Sequence, residues 1–460
     1  MKLFTDILIR FPRLILVTMF FLTVLIGLGM SKLEIRDSYD SDLPANDAIV
    51  KTNDLLEEIF GEKDILMIAV ISENIFAPST LQKIQLISEE ILQIDGVIQD
   101  QVTSLSTLTT IEGNDWGLEV GDLMEDIPAS NEEISELIAK VKSNPLFYGK
   151  LVSEDFNASL ILANMERSVD NQVVYNEVYR ILEKYSGPEK FYPNGPAVMS
   201  AEVDNGIEAD VSTLMPIAIL FIMIGFFLSF GKMRGVFLPF TVAVTSIVWA
   251  MGFAGHAGFG LTVVSNAVPM VMIAIASSYG IHLMHRYFDD VKTMDRISAV
   301  KSTIMNMGPP IILTGLTSAA GSATLAVFKV TSLREFGIIT SIGILSALVI
   351  TLVIPPAILV LLRKPKEISN GFGEGLEKIW DTFLSVINTI STRKVKWVKL
   401  VTLLIVIISF VGITKVKFGS DYVSMFPGDH RIHEIFDAYN DNLGGSRYFN
   451  IMISGIEQDD

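Results

Sequence analysis

The sequence predicts a multi-span α-helical membrane protein with an α+β lobe inserted after its first span. Half of the 460 residues are hydrophobic, and the mean hydropathy is +0.46. Charged residues make up 19% of the chain, below the roughly 25% usual in soluble domains. The charge is also unevenly spread. Residues 32–211 hold 35 acidic and 12 basic side chains, a balance of −23, while the whole chain carries −17. The remainder is net basic, and its positive charges lie in short loops between apolar segments. This acidic lobe argues against nucleic acid as a partner.

Seven segments are apolar over the ~20 residues that a bilayer crossing needs: about 12–31, 213–231, 235–255, 261–284, 310–330, 335–362 and 396–414. Arg10 and Arg13 flank the first, Lys232 and Arg234 separate the second and third, and Arg286, Lys292, Arg296 and Lys301 separate the fourth and fifth. Arg363, Lys364, Lys366, Arg393, Lys394 and Lys396 lie between the sixth and seventh, whereas 256–260 and 331–334 carry almost no basic charge. The positive-inside bias therefore puts the N-terminus in the cytoplasm and residues 32–211 outside it. The first segment reads as a retained anchor, because no small-residue cleavage site follows it.

Within the lobe, Asp64–Ser72 is strand-like, 78–94 has helical periodicity behind a proline, and 96–105 is strand-like again. Residues 150–152 and 158–165 flank a Ser-Glu-Asp-Phe-Asn turn that suggests a hairpin, and a second helix covers 171–185. This order fits a split βαβ arrangement, with strand pairing left open. Residues 212–362 form the five-helix bundle. In 363–395, Leu376, Ile379, Trp380, Phe383, Ile387 and Ile390 share one helical face, so a linker leads into an amphipathic helix. That helix either lies along the cytoplasmic membrane surface or packs as a soluble element.

The clearest internal signal is a repeat. Pro44 and Pro427, Gly61 and Gly444, Tyr39 and Tyr422, and Gly29 and Gly412 are each separated by 383 residues. Each copy runs from basic residues through a span at 1–31 or 396–414 into an acidic segment, a helix ending in glycine and a strand. Residues 415–460 then read as the start of a second, truncated lobe. Duplicated halves are common in transporters, where they move against each other around a shared path.

Specific residues now point to a family. Met307-Gly308-Pro309-Pro310 with Thr314, Thr317 and Gly321 resembles the fifth-span pattern of the resistance-nodulation-division (RND) superfamily. Phe336-Gly337, Gly343 and Ile354-Pro355-Pro356-Ala357 resemble its sixth span. Ser278-Tyr279-Gly280-Ile281-His282 with His285-Arg286-Tyr287 is similar to the end of its fourth, and Asn194-Gly195-Pro196 also fits. The resemblance covers nearly the whole chain and is nearest to MmpL-type and bacterial lipid exporters. Spans two to six also resemble a sterol-sensing domain. It implies a ferredoxin-like porter lobe within a duplicated RND fold, in a bacterial inner membrane. It also implies ion-driven export of lipids or hydrophobic or amphiphilic small molecules. A homo-oligomer or a periplasmic partner is compatible with it.

One position departs from the pattern. Many members carry an acidic residue before the fourth-span tyrosine, and the resemblance implies that it relays protons. Here Ser278 stands there, and no Asp or Glu occurs between Leu261 and His285. A serine does not ionise in the working range. His282 is one turn away on the same face, and its ordinary pKa near 6.5 suits proton exchange. The alternative is an inert, hydrogen-bonded His282 near the interface marked by Arg286. Ser277, Ser278 and Asn266 offer oxygen ligands for sodium, as do Thr314, Thr317 and Ser318 on the fifth span. The same small and hydroxyl residues also serve close helix packing. Tyr279 is a hydrogen-bond partner in either scheme.

Other chemistries find little support. The chain has no cysteine, and neither His282 with His285 nor His430 with His433 has a third ligand type nearby, so no metal site is expected. Gly371-Phe-Gly-Glu-Gly375 lacks the Lys-Ser/Thr of a phosphate loop and reads as linker. No nucleophile and base combine, so neither a cofactor nor an enzymatic activity is expected. Prolines 216, 269, 309, 310, 355 and 356 fall in or at the ends of spans, and the last four read equally as helix stops. Competing readings are a lipid sensor or assembly protein that does not transport, and an accessory to protein export.

Overall fold

The computed structural model describes residues 1–34, 42–44, 46–61, 63–114, 117–124, 126–262, 264–363, 371–416, 423 and 426–446. Tyr39, Tyr422 and the expected second lobe beyond 446 lie outside the described residues. The chain forms two units, Met1–Pro44 with Gly206–Phe418, and Ala45–Asn205 with Gly419–Asp460. Among the described residues, seven helices are long and apolar enough to cross a membrane.

Helix α1 (Lys2–Arg10) is amphipathic and breaks at Phe11, and α2 (Pro12–Gly27) follows with proline in its first turn and a 3-10 end at Leu28–Lys32. In the lobe unit, α3 (Ala48–Phe60) starts on the Asp47 carboxylate, which accepts from the Ile49 N–H at 3.0 Å. Strand β1 (Lys63–Ile71) leads to α4 (Pro78–Ile91) and β2 (Val97–Thr103). A hairpin, β3 (Thr109–Asn114) and β4 (Gly117–Asp122), comes next. Helix α5 (Asn131–Ser143) opens on a capping box of Ser130 and Glu133. Strand β5 (Ala158–Glu166), α6 (Asn171–Lys184) and β6 (Lys190–Asn194) complete the lobe's main run.

The four main strands are ordered β2-β5-β1-β6, and every neighbouring pair is antiparallel. The central strand β1 is apolar on both sides, as a strand covered on both faces must be. Leu66, Ile68 and Val70 join a core with α4 and α6, while Met67 and Ala69 point to a second apolar cluster. At the end of β6, Gly195 takes φ 125°, and a Cβ there would stand 2.2 Å from the Ile65 carbonyl oxygen. This position therefore needs glycine.

Helix α7 (Pro196–Phe230) contributes its start to the lobe and Gly206 onward to the membrane unit. Then come α8 (Met233–His256), a 3-10 turn at Ser265–Ala267, α9 (Val268–Thr293), and α10 (Arg296–Ala323) with a 3-10 end at Thr324–Val327. After these come α11 (Thr331–Leu361), α12 (Gly371–Arg393) and α13 (Val395–Ile413). Helices α8, α9 and α11 supply most of the buried core, and α13 is uncovered along its length. Backbones meet closely where α2 crosses α8. A Cβ on Gly255 would lie 1.9 Å from the Gly29 oxygen, and one on Gly252 would lie 2.2 Å from the Ile26 oxygen. Small residues allow this approach. The last helix, α14 (Arg431–Leu443), belongs to the lobe unit and buries Ile432, Ile435, Phe436 and Tyr439 in the cluster with Met67 and Ala69.

Three expectations need correction. Pro309 and Pro310 sit inside α10, and Pro355 and Pro356 inside α11, so they do not stop helices. Neighbouring spans hold such helices together across the missing N–H groups. The fifth-span helix also starts well before residue 310, because Asp295 caps it by accepting from the Ile297 and Ser298 N–H groups. Gly371–Gly375 is helical rather than linker, as the first turn of α12. Glycine weakens a helix by only about 1 kcal/mol per residue.

Candidate functional site

The polar residues of the fourth span are positioned by α9, which begins at Val268 with Pro269 in its first turn. Its helical spacing divides them between two faces. Ser277, Tyr279 and Gly280 are buried in the bundle, while Ser278 and His282 lie on a stripe that none of the described residues covers. Gly280 permits the packing, since a Cβ there would stand 2.7 Å from Pro239 Cα on α8. The Ser277 hydroxyl donates to the Ala274 carbonyl at 3.0 Å. Tyr279 approaches Ser318 of α10, but its buried hydroxyl makes no hydrogen bond of ordinary geometry.

On α10, Thr314 and Thr317 are uncovered and Ser318 is half-buried. The Thr317 hydroxyl returns to its own helix, donating to Leu313 and Thr314 carbonyls at 3.0 Å. Asn266 is half-buried in the 3-10 turn before α9, about 18 Å along the axis from Ser278 at 1.5 Å per residue. Within this chain, Ser277, Ser278 and Asn266 therefore do not converge on one point. His285 approaches α7, where the Ser229 hydroxyl lies 3.3 Å from its Nε2 and the Phe230 ring packs against it at a tilt of 43°.

Several polar groups were not singled out from sequence. Glu335, early in α11, is only 5% exposed, and Thr340, five residues on, has a buried hydroxyl that no described residue hydrogen-bonds. A lone acid opening an apolar helix was the available signal. At the end of α9, buried Asp290 accepts from Arg286 Nε at 3.1 Å and from the Thr303 hydroxyl at 3.4 Å, joining α9 to α10. Arg234 and Arg296 donate to the Arg363 and Leu362 carbonyls at 2.6 and 2.8 Å. Arginines in the first turns of α8 and α10 thus satisfy the carbonyls just past the end of α11.

The lobe has its own polar centre. Glu202, on the first turns of α7, is 2% exposed and accepts from Arg431 Nε at 2.6 Å and the Tyr175 hydroxyl at 3.1 Å. Arg431 also lies over the Tyr179 ring, 4.2 Å from its centroid, a cation–π arrangement. Burial, followed by the nearby Glu202 charge, pushes the Tyr179 hydroxyl well above its ordinary pKa. Elsewhere, Glu189 accepts from Lys83 Nζ at 2.6 Å and the Thr80 hydroxyl at 3.1 Å. Its burial acts to raise the carboxyl, but the Lys83 ammonium and these hydrogen bonds outweigh that and hold it below the ordinary value.

The sequence model of the MMPL family matches residues 47–410, which takes in the lobe and most of the spans. The chain belongs to the MMPL family. This MMPL chain is 20% identical over 366 residues to a membrane protein of Methanocaldococcus jannaschii, covering 76% of the chain and 90% of that relative. It is 27% identical over 166 residues to the apo-petrobactin exporter of Bacillus anthracis, covering 34% of the chain and 22% of the exporter. It is 22% identical over 178 residues to the heme uptake protein MmpL11 of Mycobacterium tuberculosis, covering 38% of the chain and 18% of that protein. The chain thus spans most of the archaeal relative but about a fifth of each of the other two.

Proposed function

We propose that this MMPL protein is an ion-gradient-driven exporter of lipids or other hydrophobic or amphiphilic small molecules. In this reading, His282 exchanges the coupling proton, with Ser278 and Tyr279 as hydrogen-bond partners. The observation that carries it is the uncovered Ser278–His282 stripe on a membrane-spanning helix. Polar side chains facing lipid are costly and by default mark a pathway or a protein interface. A second bundle, of the kind the repeat begins, would cover the stripe and enclose a narrow polar path. The uncovered α13 supports this view. Its Gly412 has open space around it, while Gly29, 383 residues earlier, is in tight backbone contact.

Residues 32–211 serve here as an extracytoplasmic porter lobe. The strand order β2-β5-β1-β6, with α4 and α6 as connections, supports a ferredoxin-like design. The cargo class rests on family membership and on an exporter among the relatives. Ser278 in place of an acid favours a second reading, a lipid sensor with no transport. The two separate in sealed vesicles of the whole protein with a trapped pH dye. An exporter gives cargo-dependent proton entry that His282→Ala abolishes and Ser278→Asp preserves. Proton entry unaffected by cargo and by both substitutions would favour the sensor.

A further inference from the structure

Helix α1 has two faces, and the bundle uses one. Thr5 and Leu8 are buried, Leu8 within the core of the membrane unit. The Asp6 carboxylate accepts from Lys301 Nζ at 3.0 Å. Met1 packs against Gly308 of α10, where an added Cβ would stand 2.2 Å from Met1 Cε. These contacts hold α1 at the end of the bundle that carries the basic loops. On the other face, Leu3 and Ile7 are one turn apart and 76% and 49% exposed, and Arg10 follows them. The apolar strip does not stop where the helix breaks. Phe11 and Leu14 are 46% and 64% exposed, and exposed Val17, Phe21 and Leu25 carry the strip along α2. Lys2, Arg10 and Arg13 flank its start and are exposed, and among the described residues none of them pairs with a carboxylate. The Arg10 guanidinium lies 5.2 Å from the Phe11 ring centroid, beside the strip.

We propose that α1 and the first turn of α2 form a binding surface for anionic phospholipid. Leu3, Ile7, Phe11 and Leu14 enter the acyl boundary, and Lys2, Arg10 and Arg13 hold the acidic headgroups. Nine residues are too few to cross a bilayer, but the exposed face of α1 runs into that of a helix long enough to do so. An interfacial helix has this form, with its apolar face in the acyl boundary and its cations at headgroup depth. The three cations without carboxylates decide the occupant, because anionic headgroups supply the missing countercharge. The positive-inside bias puts this end of the bundle at the cytoplasmic leaflet, where such lipids carry the surface charge. The effect reaches the fifth span. Pro309 and Pro310 lie inside α10 and donate no backbone hydrogen bond, and α1 braces α10 just before them, at Lys301 and Gly308. Lipid that holds α1 in place thereby steadies this part of α10.

The test places a fluorescent amino acid at Ile7 of the whole protein, reconstituted in phosphatidylcholine vesicles. A minor share of the lipid carries brominated, quenching acyl chains, either on phosphatidylglycerol or on phosphatidylcholine. Brominated phosphatidylglycerol is expected to quench at least about threefold more, a preference that shrinks in high salt. Arg10→Gln with Arg13→Gln should abolish the preference, while Arg10→Lys with Arg13→Lys, which keeps the charge, should retain it. Equal quenching by the two lipids in the unsubstituted protein would overturn the proposal. So would a preference that survives the glutamine pair, or no quenching by either lipid, the result if protein covers this face. The readout needs no transport, so its failure is separate from failure of the exporter reading.

Discussion

Replacing Gly255 by alanine should weaken the membrane unit, while the same change at Gly225 should not. At Gly255 the new Cβ would stand 1.9 Å from the Gly29 oxygen, whereas ordinary contact begins at 3.4 Å. Helices α2 and α8 must separate by about 1.5 Å, since the oxygen that the new Cβ meets is backbone and cannot swing aside. Forcing a methyl into a packed crossing costs about 1–3 kcal/mol, against a gain of roughly 0.5–1 kcal/mol from removing a helical glycine. At Gly225 no atom lies within 4 Å of the added Cβ, so only the gain applies. The two variants should differ by about 2 kcal/mol in opposite directions. Denaturant unfolding in mild detergent measures this, with Trp249 as a local reporter because its indole N–H donates to the Thr23 hydroxyl across the same crossing. Equal shifts for both variants, or a more stable Gly255→Ala, would refute the close-approach account.

Three further outcomes concern the lobe. The depressed Glu189 carboxyl contributes stability that is complete above the ordinary carboxylate range and lost as pH falls through its lowered value. Lys83→Met should therefore cost about 2 kcal/mol near neutral pH and flatten the acid side of the unfolding profile. Burial pushes the Glu202 carboxyl up to about 7. Arg431→Ala, which removes its cation, should therefore cost about 2 kcal/mol above that pH and less below it, where the carboxyl is protonated. Arg431→Ala with Glu202→Gln should cost less than the separate changes combined. Tyr439→Phe removes the bond to the Tyr192 carbonyl and should cost about 1 kcal/mol in a thermal melt.

Long apolar runs and local punctuation were legible in the sequence. Pro78 and the glycines at 61 and 444 mark helix ends through one residue's own geometry. The Ser130–Glu133 capping box was equally local but went unread, as did the β3–β4 hairpin. Strand order was not legible, since β1 pairs with β5 and β6 across roughly a hundred residues and both of its faces read as apolar. The start of α10 was obscured because Arg296 and Lys301 lie outside an apolar window, although Asp295 is a plain cap. In the candidate site, helical spacing placed Ser278 and His282 on one face, but nothing in spacing separates a covered face from an uncovered one. The Glu202–Arg431 pair spans 229 residues, so only the fold brings it together.

The central claim is export coupled to an ion gradient. Its most direct test is lipid movement in proteoliposomes of the whole protein under an imposed proton or sodium gradient, with His282→Ala in parallel. The account predicts movement that follows the proton gradient and disappears in His282→Ala. Movement driven by sodium and indifferent to His282 would relocate coupling to the hydroxyl residues. No gradient-dependent movement of any lipid tested would contradict the exporter.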